Sequence, residues 1–136
     1  MNDHDQVLKA AAELVAAFAA NDREAYFGAF SADASFVFHT LEQPLLSRDA
    51  YRALWDEWRA KDGFEVLSCT SSNAFVSLQG DVAIFIHDVA TELRLQGEHL
   101  FSQERETIVF RQQQEQGHWL ACHEHLSATP QGLPSP

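Results

Sequence analysis

Basic residues are scarce in this chain. Nine lysines and arginines stand against 20 aspartates and glutamates in 136 residues, a net charge of −11. Nucleic acid is bound by clustered positive charge, so that class of partner is excluded, and the same charge disfavours anionic membrane surfaces. Cysteine is limited to Cys69 and Cys122, too few for a disulfide framework or a zinc motif. Both fall in strand-like segments and read as buried, reduced thiols of a cytoplasmic protein. No apolar run approaches the length of a membrane span. The opening Met1-Asn2-Asp3-His4-Asp5 is acidic, which argues against a secretory or transit segment. A glycine-rich phosphate loop, H-E-x-x-H and G-x-S-x-G are all missing, which removes the commonest nucleotide, zincin and serine-hydrolase readings.

What remains is a chain that is 46% apolar, long enough to build a core without disulfides or metal. Val7, Leu8, Ala11, Leu14, Val15 and Phe18 follow the helical period over residues 4 to 20, with Asn2 or Asp3 as cap. Asn21-Asp22 opens a shorter helix through Ala25, Tyr26, Phe27 and Phe30. A strand is expected over Ala34 to Thr40, then a loop around Pro44. A third helix starts at Ser47-Arg48-Asp49, carries Tyr51, Leu54, Trp55 and Trp58 in one stripe, and stops at Lys61-Asp62-Gly63. From Phe64 the pattern is strand after strand: 64–78, 82–94, 99–112 and a last one through Ser127, with turns at 79–81, 96–98 and 113–117. Helices followed by an antiparallel meander define an α+β domain over residues 1–127, with 128–136 as a proline-rich tail. Val82, Ile84 and Ile86 lie on one face of their strand and Ala83, Phe85 and Val89 on the other. A sheet apolar on both faces needs a second cover, and a second copy of the chain is the cheapest source.

The last strand, Gly117-His118-Trp119-Leu120-Ala121-Cys122-His123-Glu124-His125-Leu126-Ser127, is the richest in chemistry. Strict alternation places Trp119, Ala121, His123, His125 and Ser127 on one face and Leu120, Cys122, Glu124 and Leu126 on the other. The two imidazoles suit metal ligation, acid–base work or packing. A metal needs a third ligand, yet Ser127 is a poor one and Arg105 on the next strand would repel a cation. No metal is expected here, and the pair reads as part of a dimer contact.

Four segments together resemble the SnoaL-like branch of the nuclear transport factor 2-like superfamily. They are the first helix with Asn21-Asp22 and Phe30-Ser31-Ala32-Asp33-Ala34, then Gly80-Asp81-Val82-Ala83, then Gln103 to Phe110, then Trp119-x-x-x-His123-x-His125-x-Ser127-x-x-Pro130. The chain is also similar to the association domain of calcium/calmodulin-dependent kinase II. The resemblance implies a cone-shaped, cystatin-like α+β fold, in which a strongly bent antiparallel sheet wraps the N-terminal helices and leaves a pocket at the open end. It also implies dimers formed through the outer sheet face. Inner positions would be Phe85, His87, Val89, Glu106, Ile108, Cys122 and Glu124, with Trp119, His123 and His125 outside. Where the association domain carries arginines, this chain has Val89, Ile108 and Leu126. The superfamily holds isomerases, dehydratases, cyclases, epoxide hydrolases and assembly modules, so activity does not follow from fold.

On that facing, His87, Glu106 and Glu124 form the best acid–base set, in a pocket walled by His39, Tyr51, Trp55, Trp58, Phe85, Val89, Ile108 and Cys122. A carboxylate among apolar groups is pushed toward neutral pKa, as general acid–base chemistry requires. The structural alternative pairs the glutamates with Arg48, Arg52 or Arg59. The expected activity is cofactor-free isomerisation or dehydration of a small hydrophobic molecule. The alternative is a non-catalytic ligand-binding or dimeric assembly module built on the same pocket.

Overall fold

The computed structural model describes residues 1–114 and 117–130. Three helices precede four strands and follow or flank a fifth: α1 (Asp3–Ala19), α2 (Arg23–Gly28), β1 (Phe30–Phe38), α3 (Arg48–Asp62), β2 (Glu65–Gln79), β3 (Val82–Leu95), β4 (Glu98–Gln112) and β5 (Trp119–Ala128). Each helix starts on a side chain that accepts from its first turn. Asn2 Oδ1 accepts from Asp5 N at 2.8 Å, Asp22 Oδ1 from Ala25 N at 3.2 Å, and Ser47 Oγ from Ala50 N at 3.0 Å, each contributing about 1 kcal/mol. Gly63 ends α3 at φ +61°, a left-handed cap that a residue with a Cβ adopts at a cost. No helix among the described residues is long and apolar enough to cross a membrane.

The sheet order is β1-β5-β4-β3-β2. β2 to β5 are antiparallel neighbours, whereas β1 runs parallel to β5, the one pair that departs from the expected antiparallel arrangement. β1 also begins earlier than the expected Ala34. Phe30 pairs with Ala121, and the register shifts before Ser35 meets His123. Phe30 therefore belongs to the sheet and not to the second helix, which ends at Gly28. The β3–β4 hairpin turns on Gln96 and Gly97, at φ +53° and +77°, the paired positive angles that a tight two-residue turn demands. The expected tail lies mostly outside the described residues, as do Glu115 and Gln116 of the expected 113–117 turn. Ala128 closes β5, and Thr129 N–H donates to Gln103 O at 3.1 Å.

Register shifts supply the bend. They fall between Val66 and Ser68 and between Ser72 and Phe75 on β2, and between Val109 and Phe110 opposite β5. An extra residue on one strand sharpens twist and curls the sheet. The concave face takes α1, whose Val7, Ala11, Leu14 and Ala17 are buried, and an aromatic core of Tyr26, Phe27, Phe30, Phe36, Phe38, Tyr51, Trp55 and Phe64. Most of these rings meet edge to face, as in Phe36–Tyr51 at 4.6 Å and Trp55–Phe64 at 4.9 Å, the geometry their quadrupoles favour.

The shift opposite β5 overturns one expectation about facing. Val109 pairs with His123 and Phe110 with Ala121, which leaves Cys122 as the extra residue. Alternation breaks there. Trp119 and Ala121 lie inside with Phe110, at 3%, 0% and 1% exposure. Trp119 is thus not on the outer face with the histidines: its indole N–H donates to Gln6 Oε1 of α1 at 3.1 Å. Beyond the bulge, Glu124 and Leu126 face inward beside Phe36 and Phe38, while His123 and His125 face outward beside Ser35 and Val37.

Candidate functional site

Between α1, α3 and the concave sheet lies a cavity of about 530 Å³. Leu14, Val15 and Phe18 of α1, Tyr51 and Trp58 of α3, and the inward side chains of the sheet enclose it. The end of the β3–β4 hairpin supplies Leu100, Phe101 and Ser102 at its rim. The wall is mainly apolar, with Asp62, Thr40, Thr91 and Ser102 among its polar members, and its acids gather in one cluster where Glu104, Glu106 and Glu124 project from β4 and β5 with His39 beside them.

Four of the pocket residues expected from sequence line this space: His39, Tyr51, Trp58 and Val89. Trp55, Phe85 and Ile108 pack one layer behind it, at 1%, 2% and 0% exposure, because the ring cluster and the paired strands close over them. Cys122, also expected in the wall, is the bulged residue of β5. Its charged neighbours are Arg111 and Asp33, and burial pushes its thiol up, so it sits away from the cavity. Cys69 does line it, and burial raises that thiol to about 11, which leaves little thiolate for nucleophilic work near neutral pH.

The structure brings His87, Glu106 and Glu124 together. His87 Nε2 lies 2.6 Å from Glu106 Oε1, and His87 Nδ1 lies 2.5 Å from Ser71 Oγ. An ionised Glu106 can only accept, so Nε2–H donates to it and Nδ1 is left to accept from the Ser71 hydroxyl. His87 itself is 1% exposed, whereas Ser71 stands at the surface. Glu106 pairs with Leu126 and Ile108 with Glu124 across β4 and β5, which sets the two carboxyls on the same concave face at adjacent positions. Glu124 is 3% exposed, and its Oε2 has no hydrogen-bond partner. Burial, the charge of Glu106, a hydrogen bond with Glu106 and the charge of Glu104 push its carboxyl well above the usual carboxylate range. A carboxylate charge on Glu106 in the same apolar site thus favours the acid form of Glu124.

Arginine does not clamp this pair. Arg48 Nη1 donates to Phe30 O at 3.1 Å, Arg52 engages Asp49, and Arg59 Nη1 donates to Asn21 Oδ1 at 3.2 Å. Histidine takes that place twice, since His39 Nε2 lies 2.6 Å from Glu104 Oε2 at the rim, with Ser102 Oγ donating to Glu104 Oε1 at 3.1 Å. Glu104 was not anticipated, although it lies two positions before Glu106 on one strand and period-two spacing puts both on one face. In the sequence Tyr26 marks only a position of the second helix. Its hydroxyl lies 2.9 Å from that of Tyr51, and both phenols line the cavity. Burial first and the charge of Glu124 second hold both far above the ordinary phenol range. One phenol O–H bridges the pair, so the other is left to donate to something else.

The outward histidines do not join this site. His123 Nδ1 lies 2.8 Å from Ser35 Oγ, and its ring centre is 6.1 Å from that of His125. Burial and the neighbouring His125 push the His123 imidazole down. Among the described residues no group of three or more histidine, cysteine, aspartate or glutamate side chains is placed to hold a metal ion.

Solved structures share this architecture. An NTF2-like protein from Cytophaga hutchinsonii superposes with a TM-score of 0.79 at 16% identity, over 95% of this chain and 100% of its own. An NTF2-like protein of unknown function in nutrient uptake from Rhodospirillum rubrum gives 0.79 at 20% identity, over 91% and 98%. The CaMKII hub of S. rosetta gives 0.77 at 18% identity, over 95% and 98%. At such identities the likeness is one of fold. None of the curated proteins matches the sequence significantly. The family model for the SnoaL-like domain matches residues 7–131, nearly the whole chain, and the protein is a member of the SnoaL-like family with the NTF2-like, cystatin-like fold.

Proposed function

We propose that the cavity is a cofactor-independent proton-transfer site, of isomerase or dehydratase type, acting on a small hydrophobic organic molecule. The observation that carries this reading is Glu124: a buried carboxyl with an unpartnered oxygen, lining an aromatic-walled cavity and pushed toward its acid form by burial and by Glu106. Glu106 serves as the base, oriented by His87, and takes a proton from carbon next to a carbonyl. The electron pair moves onto the carbonyl oxygen, where the Glu124 acid and the Tyr26–Tyr51 pair supply donors to the developing charge. Return of the proton to a different carbon completes an isomerisation. Transfer of the Glu124 proton to a departing hydroxide completes a dehydration and releases water. The Ser71–His87–Glu106 line of hydrogen bonds gives the buried base a route to solvent while the ligand fills the mouth.

A non-catalytic binding module is the second reading, and the observation in its favour is that His87 and His39 already occupy Glu106 and Glu104. Solvent exchange on a planar ketone separates the two. With 2-indanone in D2O, the proton-transfer reading expects deuterium at the α-carbons faster than in buffer, falling about a hundredfold in Glu106→Gln. Exchange at the buffer rate in the wild type would leave the binding module standing.

The same reading includes a homodimer. On the convex face Phe75, Ile86, Thr107, His125 and Val37 align across the sheet, with Ile84, Val109, His123 and Ser35 in the adjacent row. Phe75 is 57% exposed, an unusual place for a phenylalanine on a free surface. A second copy related by a twofold axis would cover these rows with matching ones.

A further inference from the structure

We infer that the ligand of this cavity is an organic cation, an apolar ring-bearing molecule that carries a basic nitrogen. This rests on the proton-transfer reading above and names the class of molecule it acts on.

The placement of every basic side chain supports it. The chain has nine lysines and arginines, and all nine are engaged outside the cavity. Lys9 meets Glu13, Arg23 meets Asp56 and Glu24, Arg52 meets Asp49, Lys61 meets Glu57, Arg94 meets Glu65, Arg105 meets Asp88 and Arg111 meets Asp33. Arg48 and Arg59 donate to Phe30 O and Asn21 Oδ1. The cavity wall holds Asp62, Glu104, Glu106 and Glu124 and neither lysine nor arginine.

The cavity groups around Glu124 are Glu104 and Glu106 on β4, Cys69 on β2, His39 after β1, and Tyr26 and Tyr51 on α2 and α3, with His87 on β3 bonded to Glu106 outside the lining. The two histidines are each spent on a glutamate. Even with both imidazoles charged, the third carboxyl has no counter-charge. Its unpartnered Oε2 keeps its proton only while nothing positive is near. An ammonium group entering the cavity supplies the missing partner, and the Glu124 proton is then released to solvent, which leaves the Tyr26–Tyr51 hydroxyls as the donors for isomerisation of such a substrate. Trp58, Tyr51 and Tyr26 are members of the wall, and aromatic rings attract cations of this kind. The net charge of −11 draws cations toward the cleft and repels anions. A carboxylate ligand would meet three glutamates with no positive group to receive it.

Three shape-matched probes test this by NMR titration of the intact protein: 2-aminoindane, 2-indanol and indane-2-carboxylate. The amine is expected to bind at least about tenfold more tightly than the alcohol, with the carboxylate weakest. Its binding should release protons, seen as a calorimetric heat that varies with the ionisation enthalpy of the buffer. In Glu124→Gln the preference for amine over alcohol should shrink toward unity. Equal or tighter binding of alcohol or carboxylate overturns the inference, as does absence of binding by all three at millimolar concentration. Amine-selective binding without exchange on 2-indanone upholds the ligand class and refutes catalysis. Exchange on 2-indanone without amine preference refutes the ligand class and leaves the proton-transfer reading intact.

Discussion

His87 and Glu106 face each other across β3 and β4 with Nε2 and Oε1 2.6 Å apart, the imidazole entirely enclosed and the carboxyl at the edge of the cavity. Removing one group leaves the other buried with this hydrogen bond unmade. His87→Leu should therefore cost about 2–4 kcal/mol in urea unfolding. The double variant with Glu106→Gln should recover part of the loss, giving a coupling energy of about 1–3 kcal/mol. Additive losses would mean that the pair does not interact.

Glu124 should make the fold less stable as pH rises. Its carboxyl is raised in the folded state by burial and by Glu106, relative to an ordinary value of 4.5. The folded state then binds more protons than the unfolded chain above that value. Stability from this group is complete below the unfolded pKa and is lost as pH rises through the folded one. Glu124→Gln has no such dependence. Thermal melts should show the variant gaining on wild type progressively from about pH 4.5 upward. A difference that does not vary with pH would count against a perturbed carboxyl.

Asn21 ties the helical layer to an edge strand. At φ +56° its side chain donates from Nδ2 to Val66 O and accepts at Oδ1 from Val66 N, both at 2.8 Å, completing the β2 edge as a neighbouring strand would. Asn21→Ala should lose about 2 kcal/mol of stability. Asn21→Gly, which suits the left-handed angle, should lose less. The chemical denaturation midpoints of the two variants order them.

The convex face predicts assembly. Light scattering at micromolar concentration should give a dimer, and Ile86→Glu, next to the exposed Phe75 in that row, should give a folded monomer with an unchanged far-ultraviolet spectrum. A wild-type monomer would show that something other than a second copy covers this face.

Much of this was legible in the residues, and the failures have identifiable physical causes. Helical periods in Val7 to Phe18 and around Tyr51 to Trp58, and turn residues such as Gln96-Gly97, specify local structure and gave the α+β order. The resemblance set which face is inner, and alternation, which holds within each segment between bulges, kept Glu106 and Glu124 on it. Alternation failed for Trp119 and Cys122, since one extra residue in β5 reverses the parity, and no side chain announces a bulge. Parallel pairing of β1 with β5 was equally hidden, being a contact between segments about 90 residues apart. Glu104 is a different kind of omission. Its spacing from Glu106 placed it in the site, and only its pairing with His39 required three dimensions. Trp55 shows the limit of a stripe: a helical face reveals which side is buried, but not whether the neighbour across it is a cavity or another ring.

The central claim is that one carboxyl of the cavity is an acid while its neighbour is a base. Carbon-13 titration of the glutamate side-chain carboxyls, with Glu124→Gln and Glu106→Gln for assignment, reads it directly. The account predicts that the Glu124 carbon keeps the chemical shift of a protonated acid after the exposed glutamates have ionised, and that Glu106→Gln brings its titration downward. A Glu124 signal that titrates together with the surface carboxylates would contradict it.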